Sequence, residues 1–342
     1  MANTAVSNGS IRAKIEKGWK PNRYLSNMSM AYFADPGDWV ATKIFPICPV
    51  DLSTSYYYEF LKGDLARDYV QPKPVYGKVS PAIIGHTDHT YNTAVDQVIV
   101  GIDQIKTLDY QRSKAPASID PRRSKVRFIS EQLHLHLDVQ FARNYFKSGV
   151  WSNEFTGVDS SPTGKQFLKF NDANFDPVHF FHERKREIKL NGRREPNKLA
   201  LGYDAYQALC EHPDILERVK YGGSTPNPAT VNRRVLAQLL EVDEIAVLES
   251  TYNVSLPGEA DNMQFICDSA GALLCYTTSS PAIDEPSAGY TFTWDMLGDG
   301  NWMATDQFEG ENGTHTEFME GLMSTDMRKT ADDLACYMSN CV

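Results

Sequence analysis

The sequence predicts an α+β fold in which a long helix, an extended segment and a compact mixed block occupy separate stretches of the chain. Residues 124–146 carry apolar side chains at the spacing of a single helix. Residues 197–253 alternate short apolar strands with helices that end at sharp breaks. Residues 50–95 show little helical period and many prolines and tyrosines, which predicts an extended backbone.

The N-terminal segment, residues 1 to about 25, is polar and basic. One acidic residue, Glu16, stands against five basic residues: Arg12, Lys14, Lys17, Lys20 and Arg23. This composition predicts a mobile arm rather than part of a core. The first ten residues contain no apolar run of the kind found in a signal peptide.

The segment 50–95 is expected to leave the body of the protein as a long extended loop. Its backbone is interrupted by prolines and glycines: Pro72, Pro74, Gly77, Pro81 and Gly85. Loops of this length in ordered proteins are usually functional or docked on another surface. Tyrosine suits such a surface because it buries apolar area while keeping a polar group; the candidates are Tyr56, Tyr57, Tyr58, Tyr69 and Tyr76. Residues 94–102 are rich in β-branched side chains and predict a returning strand.

The long helix is predicted over residues 124–146, a length of about 34 Å. Its apolar face consists of residues three or four positions apart: Val126, Ile129, Leu133, Leu137, Phe141 and Tyr145. The opposite face is polar: Lys125, Gln132, His136, Arg143 and Lys147. Leu135 and Val139 lie off the apolar stripe, so a second side of the helix is expected to be covered as well.

A loop, a strand and a second helix are predicted to follow. The loop covers residues 149–162 and the strand residues 166–170. Asp176 and Pro177 predict the start of the helix, because proline is tolerated in a first helical turn.

The block 197–253 is predicted to be an α/β core. Strands are expected at residues 199–201 and 244–248. The first helix should end before Pro213, which disfavours helical backbone in the residue preceding it; its buried face is Tyr206, Leu209 and Cys210. A second helix, residues 213–221, presents Ile215, Leu216 and Val219. Asn227 and Pro228 predict the cap of a third, lined by Val231, Val235, Leu236, Leu239 and Leu240.

The C-terminal part of the chain gives weaker signals. Residues after Trp294 to about Gly313 are rich in turn formers. A last strand is predicted at residues 316–323, and a C-terminal segment at residues 331–342.

Composition excludes several classes of protein. The net charge of −10 and pI near 5.3 argue against a dedicated nucleic-acid binder, which usually carries a basic domain. The six cysteines form no CxxC pair and suit free buried thiols in a reducing compartment. No apolar run approaches the ~18 residues of a membrane span.

Three histidine pairs raise the possibility of a metal site: His86 with His89, His134 with His136, and His179 with His182. A helical zinc pair needs ligands one turn apart, and no pair has a third ligand at usable local spacing. Gly157 to Lys165 has the wrong spacing for a phosphate-binding loop and predicts a surface loop. The sequence therefore predicts no catalytic, cofactor-binding or metal-binding residue.

The charged clusters are interpreted as surface features. Glu317 with Glu320, and Asp332 with Asp333, are expected on a solvated surface or in salt bridges between subunits. The basic clusters could contact DNA phosphates or pair with neighbouring subunits, and the second is favoured: Arg122, Arg123, Lys125 and Arg127; Arg184, Lys185 and Arg186; Arg193 and Arg194.

Several blocks in a fixed order resemble the major capsid protein of tailed bacteriophages, with its Hong Kong-97-type capsid fold. The central block runs from Asn-Lys-Leu at residue 197, through His-Pro-Asp-Ile at residue 212, to Thr-Tyr-Asn at residue 251. Other blocks are Phe-Pro-Ile-Cys-Pro-Val from residue 45, Ala-Leu-Leu-Cys-Tyr from residue 272 and Glu-Pro-Ser-Ala-Gly-Tyr from residue 285. The resemblance covers roughly residue 31 to the C-terminus.

This resemblance implies a division of the chain into an N-terminal arm (1–49), an extended loop (50–95), a peripheral domain with its spine helix (96–196), an axial domain (197–310) and a return to the peripheral domain (311–342). It implies a structural protein of the virion that assembles with itself, as hexamers and pentamers, into an icosahedral shell around double-stranded DNA. Scaffold, portal and decoration proteins are the further partners implied, the DNA contact is weak and non-specific, and no membrane is involved. Assembly would take place in the host bacterial cytoplasm.

Two alternatives stay open at this point. One is an encapsulin-like shell that encloses enzyme cargo. The other is a metal-dependent enzyme built on the histidine pairs.

Overall fold

The computed structural model describes residues 39–60, 62–73, 75–105, 108, 121–222, 231–256, 258–281, 285–296, 301–311, 313 and 315–342. Within this part of the chain the helices are α1 Ala41–Ile44, α2 Lys62–Leu65, α3 Pro121–Asn144, α4 Pro177–Gly192, α5 Tyr203–Glu211, α6 Pro213–Gly222 and α7 Arg233–Leu239, with a 3₁₀ turn at Asp332–Leu334. The strands are β1 Ile47–Val50, β2 Thr54–Phe60, β3 His86–Asn92, β4 Ala94–Asp103, β5 Glu154–Val158, β6 Gln166–Leu168, β7 Lys198–Gly202, β8 Glu244–Leu248, β9 Thr251–Asn253, β10 Met263–Phe265, β11 Ala272–Cys275, β12 Gly289–Trp294, β13 Met303–Glu309, β14 Thr316–Lys329 and β15 Ala335–Ser339.

A five-stranded sheet and helix α3 form the first layer of the structure. The sheet follows the order β1-β12-β14-β13, and β4 pairs with the other side of β14. The predicted apolar face of α3 is confirmed, because Val126, Ile129, Leu133, Leu137 and Phe141 are all buried. The helix lies so close to β14 that a Cβ on Gly321 would clash with the side chain of Ile129.

The prediction for the strands of this sheet was partly wrong. The turn-rich stretch after Trp294 contains β13, and β14 continues to Lys329, six residues beyond the predicted end. β14 pairs with β4 along one edge and with β12 and β13 along the other, and most of its side chains are buried on both faces. A strand buried on both faces loses the alternation of apolar and polar residues by which strands are recognised.

A six-stranded sheet forms the second layer, in the order β6-β5-β15-β11-β7-β8. Alternate residues of β7 enter different cores: Ala200 contacts the cluster around α3, whereas Leu199 and Leu201 belong to the cluster under α4 and α5. The sheet is therefore covered on both faces. The strands predicted at residues 199–201 and 244–248 are confirmed.

Strand β5 of this sheet was missed. Residues 149–162 were predicted as a loop, but β5 lies within them and pairs in parallel with β15 from the far end of the chain. The strand predicted at residues 166–170 is shorter, ending at Leu168. Residues after β5 remain an irregular loop, as predicted, and lead into β6 rather than into a helix.

The helices of the second layer mostly agree with the sequence. Asp176 caps α4 by accepting a hydrogen bond from the His179 N–H at 3.0 Å, and α5 ends at Glu211, before Pro213. The predicted cap at residues 227–228 lies outside the described residues. Helix α7 begins after Asn232, whose side chain accepts from the Val235 N–H at 3.0 Å, so Val231 precedes the helix instead of lining it.

Candidate assembly surfaces

Exposed apolar side chains are concentrated on the extended loop. Ten of the twenty-one large apolar side chains exposed among the described residues lie between residues 52 and 84 of this loop: Leu52, Tyr56, Tyr58, Leu65, Val70, Val75, Tyr76, Val79, Ile83 and Ile84. Val70 is 88% exposed and Tyr76 is fully exposed. Exposed apolar side chains that form a large patch are typical of interaction sites, so this part of the loop is a candidate interface.

The base of the loop is firmly attached to the five-stranded sheet. Strands β2 and β3 pair as an antiparallel hairpin, and Tyr57 and Tyr91 pack on Phe292 of β12 with ring centroids 5.3 and 4.6 Å apart. The N–H of Asn92 also donates to the Asp326 carboxylate at 2.8 Å. The loop therefore leaves the body in a fixed direction.

The outer part of the loop is held by a few polar contacts. The Asp64 carboxylate accepts hydrogen bonds from the Gly85 N–H at 3.1 Å and from the Tyr69 hydroxyl at 3.5 Å. The guanidinium of Arg193, just past α4, donates to the Leu65 carbonyl at 2.8 Å. These contacts order the polypeptide without covering its apolar side chains.

A second exposed apolar surface lies on the β9–β10 hairpin. Val254, Leu256 and Met263 are exposed there. Phe265 stacks on Tyr203 at the start of α5, with centroids 5.4 Å apart. The hairpin therefore projects from the six-stranded sheet with its tip apolar and its base packed.

The root of the N-terminal arm is fixed to the long helix α3. Asp138, 1% exposed, accepts hydrogen bonds from the Ala41 N–H at 2.8 Å and from the Val40 N–H at 3.2 and 3.3 Å. One turn earlier, the buried ring of His134 stacks on Trp39 with centroids 5.4 Å apart. Two polar residues on one flank of α3 thus hold the chain where it enters the body.

Burial perturbs the ionisation of both residues. It raises the pKa of Asp138 to about 6, although the Ala41 and Val40 N–H groups and Lys43 act in the opposite direction. Burial lowers the pKa of His134 to about 4. Burial therefore favours the uncharged form of each side chain.

The predicted acidic surface at Glu317 and Glu320 is wrong. Glu317 is 3% exposed and forms an ion pair with Arg122 of α3 at 2.8 Å. Glu320 is also buried and accepts from the Gln97 amide at 2.7 Å. Both lie on β14, which pairs with other strands along both of its edges. Asp332 instead pairs with Lys329 at 2.9 Å.

Several of the basic residues expected to pair between subunits find partners within the chain. Arg127 pairs with Glu131 at 2.7 Å, Arg194 with Glu285 at 3.3 Å, and the Arg184 guanidinium lies over the Phe155 ring at 4.1 Å.

Lys185, buried on α4, has partners at the end of α7. Its ammonium donates to the carbonyls of Glu241 at 2.7 Å and Leu240 at 3.4 Å. Carbonyls at a helix C-terminus lack partners within the helix. Lys185 therefore terminates α7 and joins it to α4.

The histidine pairs do not converge. His89 contacts Glu59 at 2.9 Å and His86 contacts Asp88 at 3.4 Å, while His179 and His182 face different carboxylates, Glu183 and Glu241. His136 is exposed, whereas its neighbour His134 is buried. Within the described residues no three histidine, cysteine or acidic side chains come together as a metal site would require.

The cysteines and tyrosines show where the sequence predictions hold. All six cysteines are free thiols, and burial raises the pKa of Cys267, Cys275 and Cys336 to about 12. Of the tyrosines proposed for interfaces, Tyr56, Tyr58 and Tyr76 are exposed, whereas Tyr57 packs within the chain.

Comparison with known proteins identifies the fold. A sequence relative is the major capsid protein of Burkholderia phage BcepMu, 34% identical over 130 residues, which are 36% of this chain and 39% of the relative. A phage-related protein of Bordetella bronchiseptica has the same overall structure, with a TM-score of 0.69, 19% identity, and coverage of 94% of this chain and 97% of that one. The capsid structure of cyanophage P-SCSP1u matches with a TM-score of 0.52, 11% identity, and coverage of 89% and 88%.

The chain has the Hong Kong-97-type capsid fold. The fold class predicted from the sequence blocks is confirmed. The chain spans well under half of the curated capsid protein that it matches, and no protein-family model matches it. Among the described helices, none combines the length and apolarity needed to cross a membrane.

Sequence reasoning missed the residues that fasten this capsid fold together. Asp138 was visible as a carboxylate beside the apolar stripe residue Leu137 of the predicted helix, which is a signal for a buried hydrogen-bonding role. Lys185 and Glu317 gave no such signal, because their burial depends on elements distant in sequence.

Proposed function

We propose that the protein is the major capsid protein of a bacteriophage, many copies of which assemble into an icosahedral shell around double-stranded DNA. The observation that carries this proposal is the 34% identity with the BcepMu major capsid protein, within a chain that has the capsid fold over nearly its whole length. The activity is structural, and no residue is assigned a catalytic role.

The exposed surfaces support assembly. The loop between Leu52 and Ile84 has a rigid base and an apolar outer part, so it suits docking on a neighbouring copy. A long apolar loop exposed in a monomer would favour aggregation, whereas a shell buries it against a defined partner.

Each stretch of the chain is proposed to have its own role in the shell. We propose that residues 1–49 form an arm reaching along the shell, residues 50–95 the loop over a neighbour, and residues 96–196 with 311–342 the peripheral domain. Residues 197–310 would pack around the five-fold and six-fold axes, with the β9–β10 hairpin among their exposed features. Strands β5 and β15 join the six-stranded sheet of this block, so the two domains share it.

Further partners follow from the same function. Hexamers and pentamers would be the building units, with scaffold, portal and decoration proteins as accessory partners. DNA contact would be weak, because the chain is acidic and several basic side chains are engaged internally. The protein would be found in the virion, after assembly in the host bacterial cytoplasm.

Electron microscopy of the expressed protein tests the proposal. We expect closed shells, capsomers or polydisperse oligomers. A stable monomer at high concentration, with residues 62–85 protected from protease, would contradict it. Particles purified from infected or induced cells distinguish a phage shell from the encapsulin-like alternative. A phage shell should contain DNA, whereas an encapsulin-like shell should contain a protein cargo. Zinc bound in stoichiometric amount and lost on His179→Gln/His182→Gln substitution would favour a metal-dependent role.

A further inference from the structure

The outer part of the extended loop, residues 62–85, is hydrogen-bonded to the body of its own subunit at one point within the described residues. The guanidinium of Arg193 donates to the carbonyl of Leu65 at 2.8 Å. The other hydrogen bonds described for residues 62–85 stay inside the loop. The position of this stretch relative to the body is therefore set by the Arg193 contact together with the β2–β3 hairpin at the base of the loop.

Arg193 stands on a rigid part of the body, the C-terminal end of α4. Its N–H donates to the Lys189 carbonyl at 3.0 Å, which closes the last turn of the helix. The preceding residue, Gly192, lies so close to the 3₁₀ turn that a Cβ there would clash with the side chain of Leu334. Ile188, one turn earlier, is buried. The guanidinium therefore extends from a backbone that packing holds in place.

The backbone of Arg193 lies in the left-handed region, with φ of 61° and ψ of 1°. Glycine is the usual residue at this position of a helix end, because a side chain makes the conformation unfavourable. In this chain Gly192 comes one residue too early to occupy the position, and an arginine occupies it. A residue held in an unfavourable backbone conformation is a candidate for a function that its side chain supplies.

The charged residues beside Arg193 have ionic partners, and Arg193 differs from them. Arg194 pairs with Glu285 at 3.3 Å, and Lys189 pairs with Glu195 at 2.9 Å. Among the described residues no carboxylate pairs with Arg193, whose partner is the carbonyl of the last residue of the four-residue helix α2. Carbonyls at a helix end lack partners within the helix, and a cationic donor forms a stronger hydrogen bond with them than a neutral donor does.

We propose that Arg193 is a positioning residue, which holds residues 62–85 at a fixed angle to the body before the loop meets a neighbouring copy. The contact leaves apolar side chains of the loop exposed, among them Val70 and Tyr76, so it orders the loop without blocking it. Ordering a segment before binding lowers the entropy that is lost when the segment docks. The effect on assembly rests on the proposed shell function, whereas the effect of Arg193 on the loop does not.

Hydrogen exchange of the unassembled protein tests the positioning role. Arg193→Gly removes the guanidinium and places glycine at the left-handed position, so its effects on the loop and on the body should have opposite signs. Amides of residues 62–73 should exchange about fivefold to tenfold faster than in the parent chain, as expected for the loss of one hydrogen bond. The melting temperature of the body should stay the same or rise, because glycine is preferred at this helix end.

The neighbouring arginine provides the matched control. Arg194→Gln removes a guanidinium that pairs with Glu285, and it should leave exchange in residues 62–73 unchanged. Three results would overturn the positioning role: loop exchange in Arg193→Gly that matches the parent, an equal rise in Arg194→Gln, or a lower melting temperature in Arg193→Gly with no change in the loop. The last result is the one expected of a residue that only stabilises the end of α4.

Assembly provides the readout that depends on the shell function. Arg193→Gly should raise severalfold the protein concentration at which particles first form, because fewer copies present the loop in the competent position. Faster loop exchange with an unchanged assembly threshold would overturn the proposed benefit to assembly. Absence of particles from the parent chain would instead refute the shell function, and the exchange experiment would still decide whether Arg193 positions the loop.

Discussion

The attachment of the arm root to α3 predicts opposite acid responses for two residues one helical turn apart. The pKa of Asp138 is about 6 in the fold, raised by burial from its ordinary value of 3.8. As pH falls through 6 the folded state takes up a proton before the unfolded state does. Stability associated with Asp138 therefore rises on acidification and is fully present below the unfolded pKa.

His134 acts with the opposite sign. Its pKa is about 4 in the fold, lowered by burial from 6.5. As pH falls through 6.5 the unfolded state takes up a proton first, so stability is lost until the folded state also titrates. Between pH 7 and pH 5 the two contributions are about +1 kcal/mol for Asp138 and about −2 kcal/mol for His134. In the unsubstituted protein they partly offset each other and leave a net loss of about 1 kcal/mol.

Single substitutions expose each contribution. Asp138→Asn keeps an amide oxygen for the Val40 and Ala41 N–H groups but removes the titration. Relative to the parent chain, this variant should lose about 1 kcal/mol of unfolding free energy between pH 7 and pH 5, whereas His134→Gln should gain about 2 kcal/mol. The double variant should gain about 1 kcal/mol relative to the parent, the sum of the two single shifts.

Urea unfolding of the unassembled protein at pH 7 and pH 5, followed by circular dichroism, measures these differences. Glu131→Gln provides the control, because Glu131 is an exposed residue of the same helix paired with Arg127, and its effect should be small at both pH values. Two single variants that shift in the same direction on acidification would refute the assignment of the buried charges. A double variant that differs from the parent by the sum of two same-sign effects would also refute it.

Three further predictions concern folding and assembly. Leu133→Asp should prevent folding, because an unpaired carboxylate buried against the sheet costs several kcal/mol. The control, Lys147→Ala, should have only a small effect on stability. Normal soluble particles from Leu133→Asp would show that the buried face of α3 is misassigned. Deletion of residues 61–76 should leave circular dichroism and melting of the core nearly unchanged but abolish closed shells, and shells seen by microscopy after deletion would count against the interface role of the loop. Lys185→Met should lower the free energy of unfolding by about 1–3 kcal/mol, because the carbonyls at the end of α7 lose their donor. The same substitution at exposed Lys189 should lower it by less than about 1 kcal/mol. Equal losses for the two variants in denaturant unfolding would show that the α7 contact is unimportant.

The sequence predicted best the elements whose stabilising signals are local. The apolar stripe of α3 is periodic over about five turns, and Asp176 with Pro177 caps α4 from within its own first turn. The strand at 244–248 is a continuous apolar run bounded by polar residues. In each case the deciding interactions involve residues within a few positions along the chain.

The elements that were missed are decided by distant partners. β5 exists because β15, nearly two hundred residues later, pairs with it. β14 is longer than predicted because β12 extends the pairing beyond the point where β13 ends. Burial of Glu317 depends on Arg122 arriving from α3. The periodicity of one segment does not predict such pairings, because each pairing also depends on a second strand that is distant in sequence.

The same dependence on distant partners explains why the candidate assembly surfaces were only partly visible. Tyrosines of the extended loop are similar in sequence, yet Tyr57 packs on Phe292 whereas Tyr58 is exposed. Alternation along β2 places neighbouring tyrosines on opposite faces, and only the position of β12 determines which face is inside.

Helix α3 is the element at which these long-range contacts meet. Through Asp138 and His134 it holds the root of the N-terminal arm, and through Arg122 and Ile129 it holds β14, the central strand of the sheet. β14 in turn pairs with β4, which continues from the hairpin at the base of the extended loop. The arm and the loop, the two segments proposed to reach neighbouring copies, are therefore connected through one rigid helix and one strand. Any displacement of α3 relative to β14 would strain the ion pair between partly exposed Arg122 and buried Glu317, and leaving a buried carboxylate without its partner is costly. This arrangement favours movement of the arm root, α3 and β14 as a single unit during assembly.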